Sequence, residues 1–201
     1  LGFRDNCTFD FRDMGLADYF LATPNIAPSG EYDFVYLGEM SRLNVFKHAI
    51  NAIVQSHRTL LLIGEVPENW FSSDRQRRQI GTTGRIRHQE VRAQLARARC
   101  GLNLVPPIAP YTEQTSTKLL EYCAAGLPVA SIEYPWAKRF ELLSGGRFFW
   151  LPQSSRVSVW VNAINEQLPA HNFVVPDLQH LNWEEQLSHM SIWQILNERG
   201  H

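Results

Sequence analysis

The sequence predicts a doubly wound α/β fold, in which one parallel sheet lies between two layers of helices. Short apolar runs that end in glycine or proline are typical of strands buried on both faces, and helical segments separate them. Strands are predicted at residues 32–38, 59–64, 101–106 and 129–132, with a further one in "GRFFWL", residues 146–151. Since neighbouring parallel strands need a crossover connection, this alternation indicates repeated βαβ units with helices on both faces of the sheet.

Helical spacing of apolar residues predicts the segments between and after these strands. Helices are predicted at residues 45–56, 88–98, 117–125, 155–168 and 183–196, and residues 65–79 form a polar, arginine-rich excursion. The first thirty residues are irregular and rich in turn formers, so we predict a lead-in segment at 1–30. The sheet domain is then predicted at 31–180 and a C-terminal helix at 181–201.

The composition excludes several classes of protein. Of the 201 residues, 44% are hydrophobic and 19% charged, as in a globular domain, and the net charge of -1 removes any global electrostatic attraction to nucleic acid. We expect no nucleic-acid partner. No apolar run approaches the roughly 18 residues of a membrane span, and no basic-then-apolar signal opens the chain. Three widely spaced cysteines indicate free thiols, so a cytoplasmic location is expected. The chain begins with leucine, which suggests an excised fragment.

Common cofactor and metal motifs are not present in the sequence. The seven histidines show no HxxxH spacing or cysteine pairing, so we expect no metal. Neither GxGxxG nor GxxxxGK[ST] occurs, which argues against a dinucleotide cofactor and a P-loop. GxSxG, the nucleophile motif of many serine hydrolases, is missing as well.

The segment "TEQTSTKLLEYCAAGLPVA", residues 112–130, carries the strongest chemical signal. Its helix begins near Thr117 after a Ser116 or Thr115 cap, and Gly126 ends it. Lys118, in the first turn, opposes the helix dipole, and an anion bound at that end would reverse the penalty. Free backbone N–H groups at a helix N-terminus bind anions. Ser116, Thr117 and Lys118 therefore favour a phosphate.

Glu121 lies one turn deeper on the same face of this helix as Lys118. The two oxygens of a carboxylate can each accept from one hydroxyl of a vicinal diol, and phosphate plus ribose describes a nucleotide. The residues alone also allow a plainer interpretation, in which Lys118 and Glu121 form an ordinary i,i+3 ion pair on a solvated helix.

A family resemblance rests on this segment and on Glu113, eight positions before Glu121. The run "EQTSTKLLEYCAAGLPV" resembles the donor-site segment of GT-B glycosyltransferases, which have two Rossmann-like lobes and often carry S/P-x-K-L-x-E-x-x-A-x-G-x-P-V here. Retaining nucleotide-sugar families of this kind carry E-x7-E. The match is closest over 116–129 and looser in "FVYLG", "TGRIRHQEV" and "LNWEEQ", so that it spans about residues 32–197. "GEMSRLNVF" and "STKLLEY" are also similar to the inverting bacterial glucuronosyltransferase of xanthan synthesis, which leaves the anomeric outcome open.

The resemblance implies a role for each matching position. Glu121 would bind the ribose hydroxyls, and Glu113 would approach the transferred sugar. The loop at 84–87 would border the base. Retaining members often have Gly-Arg after the first strand, where this chain has Gly38-Glu39. The residues implied for the donor site are Arg42 or Lys47 as a second cation, Ile86 and Arg87 near the base, Glu113 and Lys118 in catalysis, and Ser116, Thr117, Lys118 and Glu121 on the nucleotide.

The resemblance also implies a function. The chain would be the C-terminal, donor-binding lobe of a hexosyl-type glycosyltransferase, with a nucleotide diphosphate sugar as substrate and no cofactor. An N-terminal lobe would bind the acceptor, either a polysaccharide or a lipid-linked sugar, and would hold the enzyme at the inner face of the membrane. The isolated chain would then be inactive. His88 is expected to be an ordinary helix-start residue. Two alternatives stay open: a non-catalytic nucleotide-binding module, and one half of a sugar-nucleotide epimerase.

Overall fold

The computed structural model describes residues 14–21 and 29–188. Its sheet has six strands, all parallel, in the order β3-β2-β1-β4-β5-β6. The strands are β1 (Tyr32–Leu37), β2 (Leu60–Ile63), β3 (Ile80–Thr82), β4 (Ala98–Asn103), β5 (Val129–Ile132) and β6 (Phe149–Leu151). The predicted doubly wound α/β fold is confirmed.

The helices follow the strands in alternation. They are α1 (Asp18–Leu21), α2 (Met40–Leu43), α3 (Lys47–Gln55), α4 (Asp74–Gln79), α5 (His88–Leu95), α6 (Thr117–Ala124), α7 (Pro135–Ser144), α8 (Val157–Asn162) and α9 (Trp183–Ser188). A π-helical turn, Ala163–Gln167, extends α8, so that the two together cover most of the helix predicted at 155–168. The second half of the helix predicted at 183–196 lies outside the described residues.

Elements α4, β3 and β4 differ from the sequence prediction. The polar, arginine-rich excursion predicted at 65–79 contains α4, and β3 follows it at once. At three residues, β3 is too short to show a periodic pattern, and as an edge strand it is only partly buried. β4 begins at Ala98 and not at residue 101, because α5 ends at Leu95 and the chain turns directly into the sheet.

The core forms two layers, one on each face of the sheet. One layer packs α3 and α8 against the strands through residues such as Ile53 and Trp160. The opposite layer contains Leu95, Leu119 and Trp136 from α5, α6 and α7. Burial of both faces explains why the strands read as continuous apolar runs.

The described part of the predicted lead-in segment packs on the domain. Leu16 forms a bridge with Asn182, its N–H donates to Leu181 O at 2.6 Å, and Phe20 is fully buried. α1 contacts both α5 and α6. The predicted boundaries at 30 and 180 stay predictions, but residues 14–21 belong physically to the same core.

The strand order creates a crevice at the carboxyl ends of β1 and β4. These strands are neighbours in the middle of the sheet, and the chain leaves them toward opposite edges, so their following loops diverge. Gly64 brings the loop after β2 against the loop after β1: a Cβ there would lie 2.4 Å from Gly38 O. Ligands of doubly wound folds bind at such a switch point, which here lies beside the N-terminus of α6.

Candidate functional site

The start of α6 is anchored to the end of β4 by a chain of buried hydrogen bonds. Ser116 is the N-cap, and its Oγ accepts from Leu119 N at 3.4 Å. The same hydroxyl donates to Asn103 Oδ1 at 2.8 Å, and Asn103 Nδ2 donates to Ser131 Oγ at 2.9 Å. These bonds fix the helix N-terminus at the crevice. N–H groups in its first turn, such as that of Lys118, have no acceptor within the helix.

Lys118 folds back from α6 into the crevice between β1 and β4. Its Nζ donates to Leu104 O at 3.3 Å and to the Tyr36 hydroxyl at 3.4 Å, and it lies 4.4 Å from the centroid of the Tyr36 ring. Burial raises the pKa of Tyr36 to about 12, so these partners are uncharged. Burial lowers the pKa of Lys118 to about 8; the charge of Arg42 adds to the effect and Glu121 opposes it. Such a lysine gains stabilisation from an anion.

Gly38 keeps the crevice open above Lys118. Its φ of +137° is a conformation that L side chains rarely adopt, and a Cβ there would lie 3.8 Å from Lys118 Nζ. Glycine at the end of β1 therefore leaves space beside the lysine.

Arg42 brings a second positive charge to the same place. Its guanidinium lies 5.1 Å from the centroid of the Tyr111 ring and 3.8 Å from Glu39. It shares with Lys118 a cavity of about 70 Å³, which is also lined by Leu104, Pro106, Tyr111, Thr115, Ser116, Thr117 and Tyr134. Two cations and a helix N-terminus thus converge on one small space.

Tyr134 is a member of this cavity that the sequence interpretation missed. Its buried hydroxyl makes no hydrogen bond of good geometry within the described part of the chain. Burial raises its pKa, and the nearby side chains of Asn103 and Ser116 oppose that rise. Its position, two residues after the buried strand β5 and directly before Pro135, is the signal that could have identified it, because side chains near strand ends reach the switch point.

Glu121 lies buried one turn further along α6. Its Oε1 is 2.6 Å from Nε2 of His88, the first residue of α5. Burial raises the pKa of Glu121, while the hydrogen bond from His88 and the charge of Lys118 oppose the rise. His88 does begin a helix as expected, but its ring also contacts the central carboxylate, a contact that the sequence interpretation did not anticipate. No spacing rule connects two residues that are 33 positions apart.

Four further predicted residues lie outside the cavity. Glu113 is exposed in a 3-10 turn, Tyr111–Glu113. Lys47 lines a separate cavity with Trp70 and Gln76. Ile86 packs partly buried against the core, and the exposed Arg87 precedes α5, where its N–H donates to Glu90. The structure therefore brings Arg42, Ser116, Thr117, Lys118 and Glu121 together around the start of α6, and the other four lie outside the cavity.

Comparison with known proteins gives the family. Residues 31–168, more than half of the chain, match the family model of glycosyl transferases group 1, so the chain belongs to this family. Its fold is that of a GT-B C-terminal domain, as the resemblance implied. A search of curated proteins found no match.

Solved structures share the fold at low sequence identity. Sucrose-phosphate synthase from Thermosynechococcus elongatus has a TM-score of 0.54 and 18% identity, over 93% of this chain and 50% of that one. AviGT4, a glycosyltransferase involved in avilamycin A biosynthesis, has a TM-score of 0.47 and 16% identity, over 70% of this chain and 42% of that one. The structure of Anabaena Alr3699/HepE in complex with UDP and glucose has values of 0.45 and 15%, over 68% and 39%. The chain spans half or less of the length of each.

Two searches of the described residues were negative. Within 14–21 and 29–188, no group of three or more His, Cys, Asp or Glu side chains is arranged to hold a metal ion. Over the same ranges, none of the helices has the length and apolar character needed to cross a bilayer.

Proposed function

We propose that this chain is the donor-binding lobe of a glycosyltransferase that uses a nucleotide diphosphate sugar. The observation that carries the proposal is the convergence of Lys118, Arg42 and the N-terminus of α6 on one cavity, with the carboxylate of Glu121 one turn away. A nucleotide diphosphate would use all of these groups, because its phosphates would lie between the two cations and its ribose would bind the carboxylate. A plain surface ion pair does not explain why Lys118 points into the crevice.

The diphosphate is also the leaving group of the reaction. Negative charge develops on it as the bond to the sugar breaks, and fixed donors that meet this charge lower the barrier. Lys118, Arg42 and the free N–H groups of the first turn are held in place before the substrate binds. In this proposal they stabilise the negative charge that a metal ion stabilises in other nucleotide enzymes, so no cofactor is needed.

The remaining predicted residues have roles at the edges of the donor. Glu121 binds the ribose hydroxyls, and the loop with Ile86 and Arg87 borders the base. Glu113 approaches the transferred sugar from the exposed turn before α6, as in the E-x7-E families. The likeness to an inverting glucuronosyltransferase leaves the anomeric outcome open.

The size of the cavity supports a second lobe. A pocket that encloses a whole small-molecule ligand measures about 300–1,000 Å³, and the cavity beside Lys118 measures about 70 Å³. It can enclose part of a diphosphate, so the base and the sugar would lie on an open edge. In the proposal, an N-terminal lobe with a lipid-linked or polysaccharide acceptor covers this edge. The 201 residues alone should then bind donor weakly and transfer essentially no sugar.

Calorimetric titration with UDP, GDP and ADP tests the proposal. Lys118→Ala and Glu121→Ala should each weaken binding of the preferred nucleotide by about 1–3 kcal/mol, because each removes a charged hydrogen-bond partner. Lys138→Ala is the matched control: this exposed lysine lies over the Trp150 ring, outside the cavity. If the control weakens binding as much as Lys118→Ala, or neither site variant weakens it, the assignment is wrong.

A comparison of Arg42→Ala with Lys47→Ala decides which residue supplies the second cation. We expect the arginine variant to bind more weakly, since only Arg42 lines the cavity with Lys118. Product analysis with the complete protein then separates the possible activities. Sugar transfer supports the proposal, whereas epimerised donor or no reaction would favour one of the two alternatives.

A further inference from the structure

His88 occupies an unusual position for a helix-start residue. Its side chain is 49% exposed, yet its Nε2 lies 2.6 Å from Oε1 of Glu121, a carboxylate that is only 11% exposed. The two residues come from different helices, α5 and α6, on the same face of the sheet. The contact therefore joins a half-exposed side chain to the buried carboxylate that the proposed function assigns to ribose.

The second ring nitrogen of His88 is also engaged. The Tyr19 hydroxyl lies within hydrogen-bond distance of His88 Nδ1. A carboxylate only accepts, so Nε2 carries a proton and donates to Glu121; in the neutral ring Nδ1 then accepts from Tyr19. Both nitrogens are satisfied by this one tautomer.

The ring is also packed on α1. Its centroid lies 5.4 Å from that of Phe20, at an interplanar angle of 33°, and 5.7 Å from that of Tyr19, nearly edge-on. Phe20 is fully buried and α1 contacts both α5 and α6. The segment before the sheet domain thus sets the position of the imidazole.

The contact leaves the carboxylate able to bind a diol. Two carboxylate oxygens offer about four lone-pair sites. His88 uses one of them on Oε1, which fixes the orientation of the group, and Oε2 keeps its full capacity to accept from hydroxyls. Without the imidazole, the buried carboxylate would lose the donor that fixes its orientation.

We propose that His88 is a positioning residue that orients Glu121 toward a vicinal diol, and that Tyr19 holds the imidazole in place from α1. This inference rests on the proposed function, in which Glu121 binds the ribose of the donor. It adds a residue that touches no substrate, and it couples the donor site to the segment that precedes the domain.

The test compares a nucleoside diphosphate with its 2′,3′-dideoxy analogue. The wild-type chain is titrated with UDP, GDP and ADP, and the tightest binder is then titrated again as the dideoxy form. The ratio of the two dissociation constants reports the diol contact alone, because the base and phosphates are unchanged. We expect a wild-type ratio of about ten or more, since the diol donates to a charged acceptor.

Four variants make the test specific. Glu121→Ala should reduce the ratio to about one, and His88→Ala should reduce it about fivefold or more. His88→Gln, whose amide can donate as Nε2 does, should retain most of the wild-type ratio. Tyr19→Phe should lower the ratio, but by less than His88→Ala does. Gln89→Ala, at the next exposed position of α5, is the control and should leave the ratio unchanged.

The outcomes separate the inference from the proposed function. If Glu121→Ala abolishes the ratio while His88→Ala retains it, the positioning role is wrong and the donor site stands. If the wild-type chain binds no nucleotide, the proposed function fails and the inference with it. If it binds nucleotide without distinguishing the dideoxy form, Glu121 does not hold the ribose and the inference is overturned, while the phosphate site stands. A loss of thermal stability in His88→Ala with an unchanged ratio would mark a purely structural contact and overturn the inference.

Discussion

At the scale of single residues, Lys118 is the side chain that most favours a ligand. It is a cation held in a crevice by a carbonyl oxygen, a phenol and a ring face, with Arg42 close enough to lower its pKa further. Uncharged partners compensate a buried ammonium only in part. A diphosphate would supply the missing negative charge. Lys118 is therefore better suited to bind an anionic ligand than to stabilise the fold.

The lowered pKa of Lys118 predicts how nucleotide binding depends on pH. The free lysine loses its proton as the pH rises through about 8, and the charge that attracts the phosphate is lost with it. Affinity for the tightest binder among UDP, GDP and ADP should therefore fall above pH 8, by up to about tenfold per pH unit. Binding at pH 8.5 should take up a proton, because the bound anion raises the pKa again.

Calorimetry in two buffers of different ionisation enthalpy measures this proton uptake. Lys118→Met is the control, and its weaker binding should show little dependence on pH between 7 and 9. A wild-type profile that is as flat as that of the variant would show that Lys118 does not meet the phosphate.

At the scale of elements, the N-terminus of α6 depends on Ser116. This hydroxyl caps Leu119 N and bonds to Asn103, so one atom joins the helix to the sheet. Because α6 carries Lys118 and Glu121, the geometry of the site depends on this anchor. The helix itself ends at Ala124, with Gly126 in the left-handed conformation that a C-terminal glycine supplies.

We predict that Ser116→Ala lowers the free energy of unfolding by about 1–3 kcal/mol. The change removes a helix cap and leaves the buried side-chain oxygen of Asn103, Oδ1, without the hydroxyl that donates to it. The neighbouring Thr117→Ala is the control; Thr117 is exposed, and the expected effect is within about 0.5 kcal/mol. Urea denaturation measures both, and equal effects at the two positions would contradict the anchoring role.

The loops at the strand ends depend on Gly64 in a similar way. Its φ is +144°, and an added Cβ would lie 2.4 Å from Gly38 O, so Gly64→Ala should cost about 3 kcal/mol or more of unfolding free energy. Gly84→Ala is matched to it, with a φ of +68° and no atom within 4 Å of the added Cβ, and should cost about 1–2 kcal/mol. Equal losses in chemical denaturation would show that the close approach to Gly38 carries no energy.

At the scale of the whole molecule, the fold was largely predictable from sequence and the site only in part. Buried parallel strands show as apolar runs, and the glycines that end β1 and β2 mark the loops of the switch point. β3 was not predicted, because three residues at a sheet edge are too few to show a periodic apolar pattern. The packing of Phe20 was not predicted either, because the composition of residues 1–30 resembles that of a linker.

The contacts between distant residues explain what the sequence could not show of the site. Local spacing predicts that Lys118 and Glu121 share one face of a helix, together with a cap at Ser116. The contact of His88 with Glu121 depends on how α5 and α6 sit together on the sheet. The approach of Arg42 to Lys118 depends on the order of β1 and β4, which no single segment encodes.

Two cations and a carboxylate lie together around the start of α6, and the proposed function has a second lobe that covers them. Crystals of this chain soaked with UDP, GDP and ADP provide the sharpest test of this donor site. We expect a diphosphate beside Lys118 Nζ and the first-turn N–H groups of α6, with the ribose hydroxyls on Glu121. A nucleotide bound elsewhere on the chain, or oriented with its phosphates away from Lys118, would contradict it.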